Sequence, residues 1–169
     1  VPVTELRPSL VPIETKEKTG ELMGLTLKNV TLSAFRGDKE VFSEQGEMLF
    51  THYGISGPLV LTLSSYMPEN LEDVRMSIDL KPALDDQTLD ARLLGDFSAY
   101  ANRDFANALD KLLPQKMIPI MVERSGIDPH KKVNSITREE RTRLCDLFKH
   151  FTVSIDGFRP INEAIITSG

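Results

Sequence analysis

The chain has 169 residues, of which 40% are hydrophobic and 27% charged, a composition typical of one globular domain or two small ones. This balance excludes a disordered acidic tail, because such tails combine few apolar residues with a high net charge. The net charge of −5 and the pI of about 5.3 exclude a chain whose whole surface is basic and binds nucleic acid in that way.

The first 20 residues are predicted to be a linker, because Pro2, Pro8 and Pro12 favour extended backbone and disfavour a helix. The chain starts without methionine, and its last residues, 165–169, have the pattern of a strand cut at its turn. Both ends suggest a piece excised from a longer polypeptide. A processed natural protein is the alternative.

Residues from about 22 to 63 are predicted to form strands, because the apolar residues from Leu25 to Leu32 alternate roughly with polar ones, as in half-buried strands. A hairpin turn is predicted at Arg36-Gly37-Asp38-Lys39, because glycine supplies the positive φ of tight turns. Gly46 is predicted to break the returning strand, and Gly54-Ile55-Ser56-Gly57-Pro58 to form a turn. The run Leu59 to Leu63 fits either a strand or a short helix that begins at the proline.

The pattern becomes helical after a strand predicted at Val74 to Leu80. From Thr88 to Leu113 every fourth position is apolar, which predicts one long amphipathic helix. A second helix is predicted from Pro114, with Gly126 as its C-terminal cap. The third helix begins at Thr137-Arg138-Glu139-Glu140, a capping box in which threonine and the second glutamate bond each other's backbone.

Strands are predicted to return after the third helix, whose buried face is expected to include Phe151. They cover Thr152 to Ile155 and Ile161 to Ile166, with a turn at Asp156-Gly157 between them. The order of strands, three helices and strands predicts an α+β fold. Residues 84–150 hold 11 acidic and 11 basic side chains, so the net negative charge lies in the β part.

Metal and nucleotide sites are disfavoured by spacing. His52, His130 and His150 lack the short paired spacings of zinc ligands, so no metal is expected. The chain has no Gly-x-Gly-x-x-Gly, so neither the Rossmann fingerprint nor a phosphate loop is present. A serine hydrolase using Ser56 is also disfavoured, because Pro58 stands where a nucleophile elbow needs its second glycine.

The single cysteine, Cys145, is predicted to be a small core residue. One cysteine forms no internal disulfide, and neither a signal peptide nor a membrane-length apolar run is visible. The sequence therefore predicts a cytoplasmic location and no membrane partner. Nucleic acid is disfavoured as a partner, because the basic residues from 130 to 143 alternate with acidic ones as on a solvated helix face.

The segment Glu47 to Pro58 is dense in residues with special chemistry. Within it, Thr51, His52, Tyr53 and Ser56 supply four polar side chains in six positions. Loops of this kind on a rigid sheet often carry function. The alternative is a structural turn whose hydroxyls and imidazole satisfy local backbone groups.

Glu47 to Pro58, with Leu59 to Ser64, resembles the signature of the YhiN-like, or HI0933-like, bacterial flavoproteins. Aminoacetone oxidase and the BaiN-type bile-acid reductases are similar to this family. Leu6–Pro12, Leu22–Asn29 and Phe158–Gly169 resemble further segments of it. The resemblance therefore spans essentially the whole chain.

The resemblance implies an FAD-binding Rossmann-like domain that is split by an insertion, with this chain as the insertion alone. Residues 1–20 would be the linker from the missing nucleotide-binding domain. Residues 21–83 and 151–169 would form a β-barrel-like subdomain, and residues 84–150 a small three-helix subdomain. FAD would belong to the parent protein, with none bound to this chain alone, and the fragment would be inactive.

The implied partners are the FAD-binding domain of the same polypeptide and a small-molecule substrate. Toward that substrate or the flavin, His52 and Tyr53 are the candidate catalytic residues. The candidate flavin- or substrate-facing residues are Thr51, Gly54, Ser56 and Gly57. The alternative function is a free-standing interaction module that binds protein or nucleic acid.

Overall fold

One of the two units of the chain is an antiparallel barrel. The computed structural model describes residues 11–67, 71 and 73–158. The strands are β1 (Ile13–Thr15), β2 (Thr26–Arg36), β3 (Lys39–Phe50), β4 (Gly54–Ser56), β5 (Val74–Asp79) and β6 (Phe151–Phe158). They close in the order β1-β4-β3-β2-β5-β6, and the strand predicted at Val74 to Leu80 is confirmed as β5.

The long β2–β3 hairpin confirms the predicted turn. Arg36 pairs with Lys39 across it, and Gly37 has φ 62°, which a glycine adopts without steric cost. Alternate residues of β2 point into the barrel, as the sequence pattern predicted. The buried apolar ones are Leu27, Val30, Leu32 and Ala34.

The predicted break at Gly46 is wrong, because β3 runs through this glycine. The run Leu59 to Leu63, for which a strand and a helix were both predicted, is helical. It belongs to helix α1 (Pro58–Ser64), which begins at the proline and packs on β3. Its Leu59 side chain occupies the space beside Gly46, where an added Cβ would lie 3.3 Å from it. Gly46 is therefore explained by packing across elements rather than by a chain break.

Residues Lys81–Phe151 form a second unit with three helices. They are α2 (Asp86–Ala99), α3 (Ile118–Ser125) and α4 (Arg138–Lys149). The predicted single helix to Leu113 is wrong, since α2 ends at Ala99. The N–H groups of Phe105 and Ala106 donate instead to the carbonyls of Lys131 and Pro129, at 2.8 and 2.9 Å. The apolar positions beyond the helix nevertheless stay buried: Phe105, Leu109 and Leu113.

The ends of the other two helices are confirmed. Gly126 follows α3 in the left-handed conformation, with φ 71°. At the start of α4 the Thr137 hydroxyl accepts from the Glu140 N–H at 3.1 Å, and the Glu140 carboxylate accepts from the Thr137 N–H at 2.9 Å. These features are specified by residues within one turn of each other, which is why the sequence alone reveals them.

The predicted turn at Asp156-Gly157 is wrong, because β6 continues through both residues to Phe158. Phe151 opens this strand rather than ending the buried face of α4. The predicted strand Ile161 to Ile166 and the first ten residues lie outside the described part of the chain. The predicted linker over residues 1–20 contains β1, which pairs with β4 and β6.

The fold is α+β, with a closed barrel and a separate helical unit, as the sequence and the resemblance predicted. The barrel unit extends to Leu80 and resumes at Thr152. Of the four α-helices in the described part of the chain, three belong to the helical unit, and α1 belongs to the barrel unit.

The ion pair at the start of α4 predicts a pH-dependent stability. The Lys131 ammonium, 2.8 Å from Glu140, and the Thr137 N–H lower the pKa of the Glu140 carboxyl. A lowered folded-state pKa adds stability above the ordinary value of 4.5, and this stability is lost as pH falls through the folded value. Glu140→Gln should therefore lower the free energy of unfolding by about 0.5–1 kcal/mol at pH 7. The difference from the wild type should shrink as the pH falls below 4.5, measured by urea unfolding at each pH.

Glu139→Gln is the matched control, because it removes the same charge one residue earlier at an exposed position. Equal effects of the two substitutions at every pH would contradict a specific role for the Lys131–Glu140 pair.

Candidate functional site

The candidate site is the turn of residues 51–54 between β3 and β4. Thr51 closes this turn with its side chain, since its hydroxyl oxygen accepts from the N–H groups of Gly54 at 3.0 Å and Tyr53 at 3.3 Å. The Thr51 N–H also donates to the Gly54 carbonyl at 2.9 Å. Such side-chain bonds to nearby N–H groups hold a turn without the support of a regular sheet ladder. Thr51 therefore rigidifies the turn.

His52 and Tyr53 are presented at the tip of this turn. His52 is exposed and Tyr53 is half-buried. Their rings lie 5.1 Å apart with an interplanar angle of 83°, an edge-to-face arrangement that is favourable for aromatic pairs. The imidazole is thus accessible from solvent and held against a tyrosine ring. The arrangement can donate or accept a proton, or contact a planar ligand.

The requirement for glycine at positions 54 and 57 is explained by close packing within the barrel. A Cβ at Gly54 would collide with the carbonyl oxygen of Ile13 and lie 2.7 Å from the nitrogen of Thr15. Gly57 has φ 97°, and a Cβ there would lie 3.0 Å from the Met48 Cα. The space beside each glycine is taken by the backbone of another strand rather than by an open cleft.

Ser56 lies in β4, where it is half-buried and pairs with Leu49 of β3. Of the six predicted site residues, the structure brings Thr51, His52, Tyr53 and Gly54 into one turn. Ser56 and Gly57 follow along the adjoining strand and the start of α1. A role for any of the six toward a flavin or substrate stays a prediction.

Sequence reasoning missed two residues that hold the turn. The Thr19 hydroxyl donates to the Thr51 carbonyl at 2.7 Å, and the Thr15 N–H donates to the Tyr53 carbonyl at 3.1 Å. Both threonines lie in the predicted linker, more than 30 residues before the turn. No local pattern marks them, because their partners become neighbours only when β1 pairs with β4.

The basic residues of the helical unit are largely paired. Lys131 contacts Glu140 at 2.8 Å and Lys132 contacts Asp104 at 2.7 Å, while His130 Nδ1 lies 3.5 Å from Asp104. The hydrogen bond from Lys132, and then that from His130, lowers the pKa of the Asp104 carboxyl. The interleaved acids thus weaken the positive field of this surface, as the sequence pattern indicated.

An open cleft of about 730 Å³ lies beside α3 and the residues that follow it. Its wall is mostly apolar, with Ile118, Val122 and Ile127 among the lining side chains and the acids Glu123 and Asp128 beside them. This size falls within the range of small-molecule pockets, about 300–1,000 Å³. The cleft belongs to the helical unit, whereas the turn belongs to the barrel unit.

Cys145 is buried in α4, as predicted for a core residue. Burial, with the nearby carboxylates of Asp90 and Asp86, raises the pKa of its thiol to about 11. The thiol therefore stays protonated at neutral pH and is a poor nucleophile. Among residues 11–67, 71 and 73–158, no cluster of three or more His, Cys, Asp or Glu side chains has the arrangement of a metal site.

The described residues include no helix long and apolar enough to cross a membrane.

Comparison with known proteins gives matches over the full chain. A family model described as "HI0933-like protein barrel and H2TH domain" matches residues 7–166. A protein of Haemophilus influenzae named ribosomal RNA dihydrouridine synthase is 30% identical over 172 residues, which cover all of this chain and 40% of that protein. An Escherichia coli protein of the same name is 28% identical over 170 residues, which cover all of this chain and 38% of that protein. The chain thus spans about two-fifths of the length of these relatives.

The crowding at Gly54 predicts a strong effect of a single methyl group. Gly54→Ala should lower the free energy of unfolding by more than about 3 kcal/mol, because the new Cβ meets backbone that cannot move without opening the β1–β4 pairing. Thermal and urea unfolding of the purified variant would measure this loss.

Gly95→Ala is the matched control, since Gly95 lies within α2 and an added Cβ there meets nothing within 4 Å. It should stabilise the protein by about 0.5–1 kcal/mol. A Gly54→Ala variant as stable as the wild type would contradict the steric argument.

Proposed function

Because the chain belongs to the HI0933-like barrel and H2TH domain family, we propose that it is the substrate-side domain of a flavin-dependent reductase. It is a domain of a kind found within larger proteins, since it spans about two-fifths of its curated relatives. The partner is then an FAD-binding domain of the same polypeptide. The observation that carries the proposal is an accessible imidazole on a rigid turn of a domain that matches this family over nearly its whole length.

In this proposal, the flavin is bound by another domain of the full-length protein and not by this chain. Its residues do not fit a flavin cradle, because the close approaches at Gly54 and Gly57 are made by the protein's own backbone. The sequence also lacks the glycine-rich phosphate loop. We therefore infer that this domain positions the substrate and controls its proton, while the cofactor supplies hydride chemistry from another domain.

The names of the relatives favour uridine in ribosomal RNA as the substrate, in place of the free small molecule that the sequence suggested. Dihydrouridine differs from uridine by two hydrogens across the C5–C6 bond. One carbon takes a hydride and the other takes a proton. The reductase consumes one reduced flavin for each uridine.

With ribosomal RNA as the substrate, the proposed location of the protein is the cytoplasm.

His52 is the candidate residue to donate the proton that uridine takes up when it is reduced. Imidazole is the side chain that exchanges protons near neutral pH, and His52 is exposed on the turn. Tyr53 holds the imidazole ring edge-to-face and offers an aromatic surface to a base. Thr51 and Gly54 keep this pair in place through the hydrogen bonds that close the turn.

RNA as substrate also changes the expectation for nucleic acid. The segment from 126 to 137 joins α3 to α4, and we take these elements as the H2TH part of the family description. Its cations are paired with acids, so contacts to RNA would rely on shape and hydrogen bonds as well as on charge. A free-standing interaction module, the alternative function, has no observation in its favour beyond this segment.

The test of the function is a visible absorption spectrum of the full-length protein that contains these residues. We expect an oxidised-flavin spectrum that bleaches with a reductant, and recovery of the oxidised band when unmodified ribosomal RNA is added without oxygen. The 169-residue chain alone should show no flavin band and no activity. A colourless full-length protein that takes up no added FAD would refute the proposal.

His52→Ala in the full-length protein should lower the rate of uridine reduction by about 100-fold or more, because general acid catalysis contributes roughly 100- to 10,000-fold. Tyr53→Phe should have a smaller effect, since it keeps the ring. Single-turnover oxidation of the reduced flavin by ribosomal RNA would measure both.

His150→Ala is the matched control, because His150 is an exposed histidine at the end of α4. It should leave the rate unchanged. Unchanged rates in both the His52 and Tyr53 variants would remove the turn from the reaction while leaving the flavin assignment intact.

A further inference from the structure

Thr19 has an unusual hydrogen bond for its position. It is 3% exposed and precedes a short 3-10 turn, Gly20–Leu22. A threonine before a helical turn commonly accepts a bond from the N–H groups of that turn. The Thr19 hydroxyl instead donates to the Thr51 carbonyl at 2.7 Å, across 32 residues.

We propose that Thr19 is a positioning residue that holds the His52–Tyr53 turn in its working geometry, an inference that rests on the proposed function. Thr51 uses its hydroxyl and its N–H inside the turn, so its carbonyl is the group left for an external anchor. Thr19 supplies that anchor immediately before His52. The bond therefore acts on the backbone that carries the imidazole.

The segment from Thr15 to Thr19 is itself fixed to the barrel. The Thr15 N–H donates to the Tyr53 carbonyl, so this segment is hydrogen-bonded to the turn on both sides of His52. On its other side, the Lys16 N–H donates to the Ser154 carbonyl at 3.0 Å, and the Glu17 carboxylate accepts from the Ser154 N–H at 2.8 Å. The turn is thus tied through this segment to β6, on the far side of β1 in the barrel order.

The hydrogen bond that positions the turn is distinct from the contacts that maintain the barrel. Gly54 and the β1–β4 pairing maintain the barrel, whereas the Thr19 hydroxyl donates its hydrogen bond to the carbonyl that precedes the tip of the turn. Removal of the hydroxyl should let the turn open while the strands remain paired. Small displacements of a reacting group reduce rates strongly, by up to about 100-fold for 1 Å.

The experiment compares Thr19→Val with Thr19→Ser in the full-length protein. Valine keeps the shape of threonine and removes the hydroxyl, whereas serine keeps the hydroxyl. Hydrogen–deuterium exchange of a peptide covering residues 51–54 should be about five- to tenfold faster in Thr19→Val and near wild type in Thr19→Ser. Thr62→Val is the matched control, because the Thr62 hydroxyl bonds the Pro58 carbonyl within α1.

In single-turnover and steady-state assays with ribosomal RNA, Thr19→Val should lower kcat by about tenfold or more with KM within about twofold of the wild type. Thr19→Ser should restore kcat, and Thr62→Val should not change it. We expect circular dichroism to show Thr19→Val fully folded under the assay conditions, which is the necessary control because a loss of folded protein would lower the apparent kcat without changing KM. In a folded variant, this pattern of kcat, KM and rescue by serine would support the proposal.

Unchanged exchange at residues 51–54 in Thr19→Val would overturn the proposal. So would faster exchange with an unchanged kcat in a protein whose His52→Ala variant is impaired, and in that case the proposed function would stand. If His52→Ala and Thr19→Val both leave kcat unchanged, the turn has no part in the reaction and the proposal fails together with the site.

Discussion

The close contact between Gly54 and β1 is the constraint on which the barrel depends. β1 has three residues, and it pairs with β4 on one side and with β6 on the other. It therefore joins the two ends of the strand order. A side chain at Gly54 would separate β1 from β4, because it would collide with the Ile13 carbonyl. The candidate turn ends at Gly54, so it adjoins the contact that closes the sheet, whereas its tip at His52 is bonded through the Thr51 carbonyl to Thr19.

The sequence predicted best those features whose causes lie within a few residues. The hairpin at Gly37, the cap at Gly126 and the capping box at Thr137 each follow from local geometry. The break at Gly46 and the long helix to Leu113 were wrong for the opposite reason. Their outcome depends on distant partners, namely Leu59 of α1 at the glycine and the carbonyls of residues 129 and 131 beyond α2.

The candidate site shows the same division. The density of polar residues and glycines at 51–57 indicated this part of the chain. The turn predicted at Gly54 to Pro58 is nevertheless wrong, because Gly54–Ser56 form β4 and the turn lies at residues 51–54. Gly54 and Gly57 were expected to allow approach of a ligand, whereas the structure fills those spaces with the strands of the barrel. Thr15 and Thr19 were assigned to a linker, since a hydrogen bond across 32 residues leaves no trace in local sequence pattern. The expectation that nucleic acid is not a partner came from the alternation of basic and acidic residues between 130 and 143, a pattern that reports on charge and not on the shape of a surface.

The pairing of β1 with β6 has a consequence for how the chain folds. Ile13 pairs with Phe158, and the entire helical unit, Lys81–Phe151, is synthesised between these two strands. The barrel cannot close until that unit has been synthesised, so the edge of β1 that faces β6 has no strand partner before then. A folded helical unit would shorten the effective loop between the barrel ends and reduce the entropy lost in closing it. Because this unit lies between β5 and β6 in the chain, β6 is the last of the six described strands to become available, and the closure of the barrel depends on it.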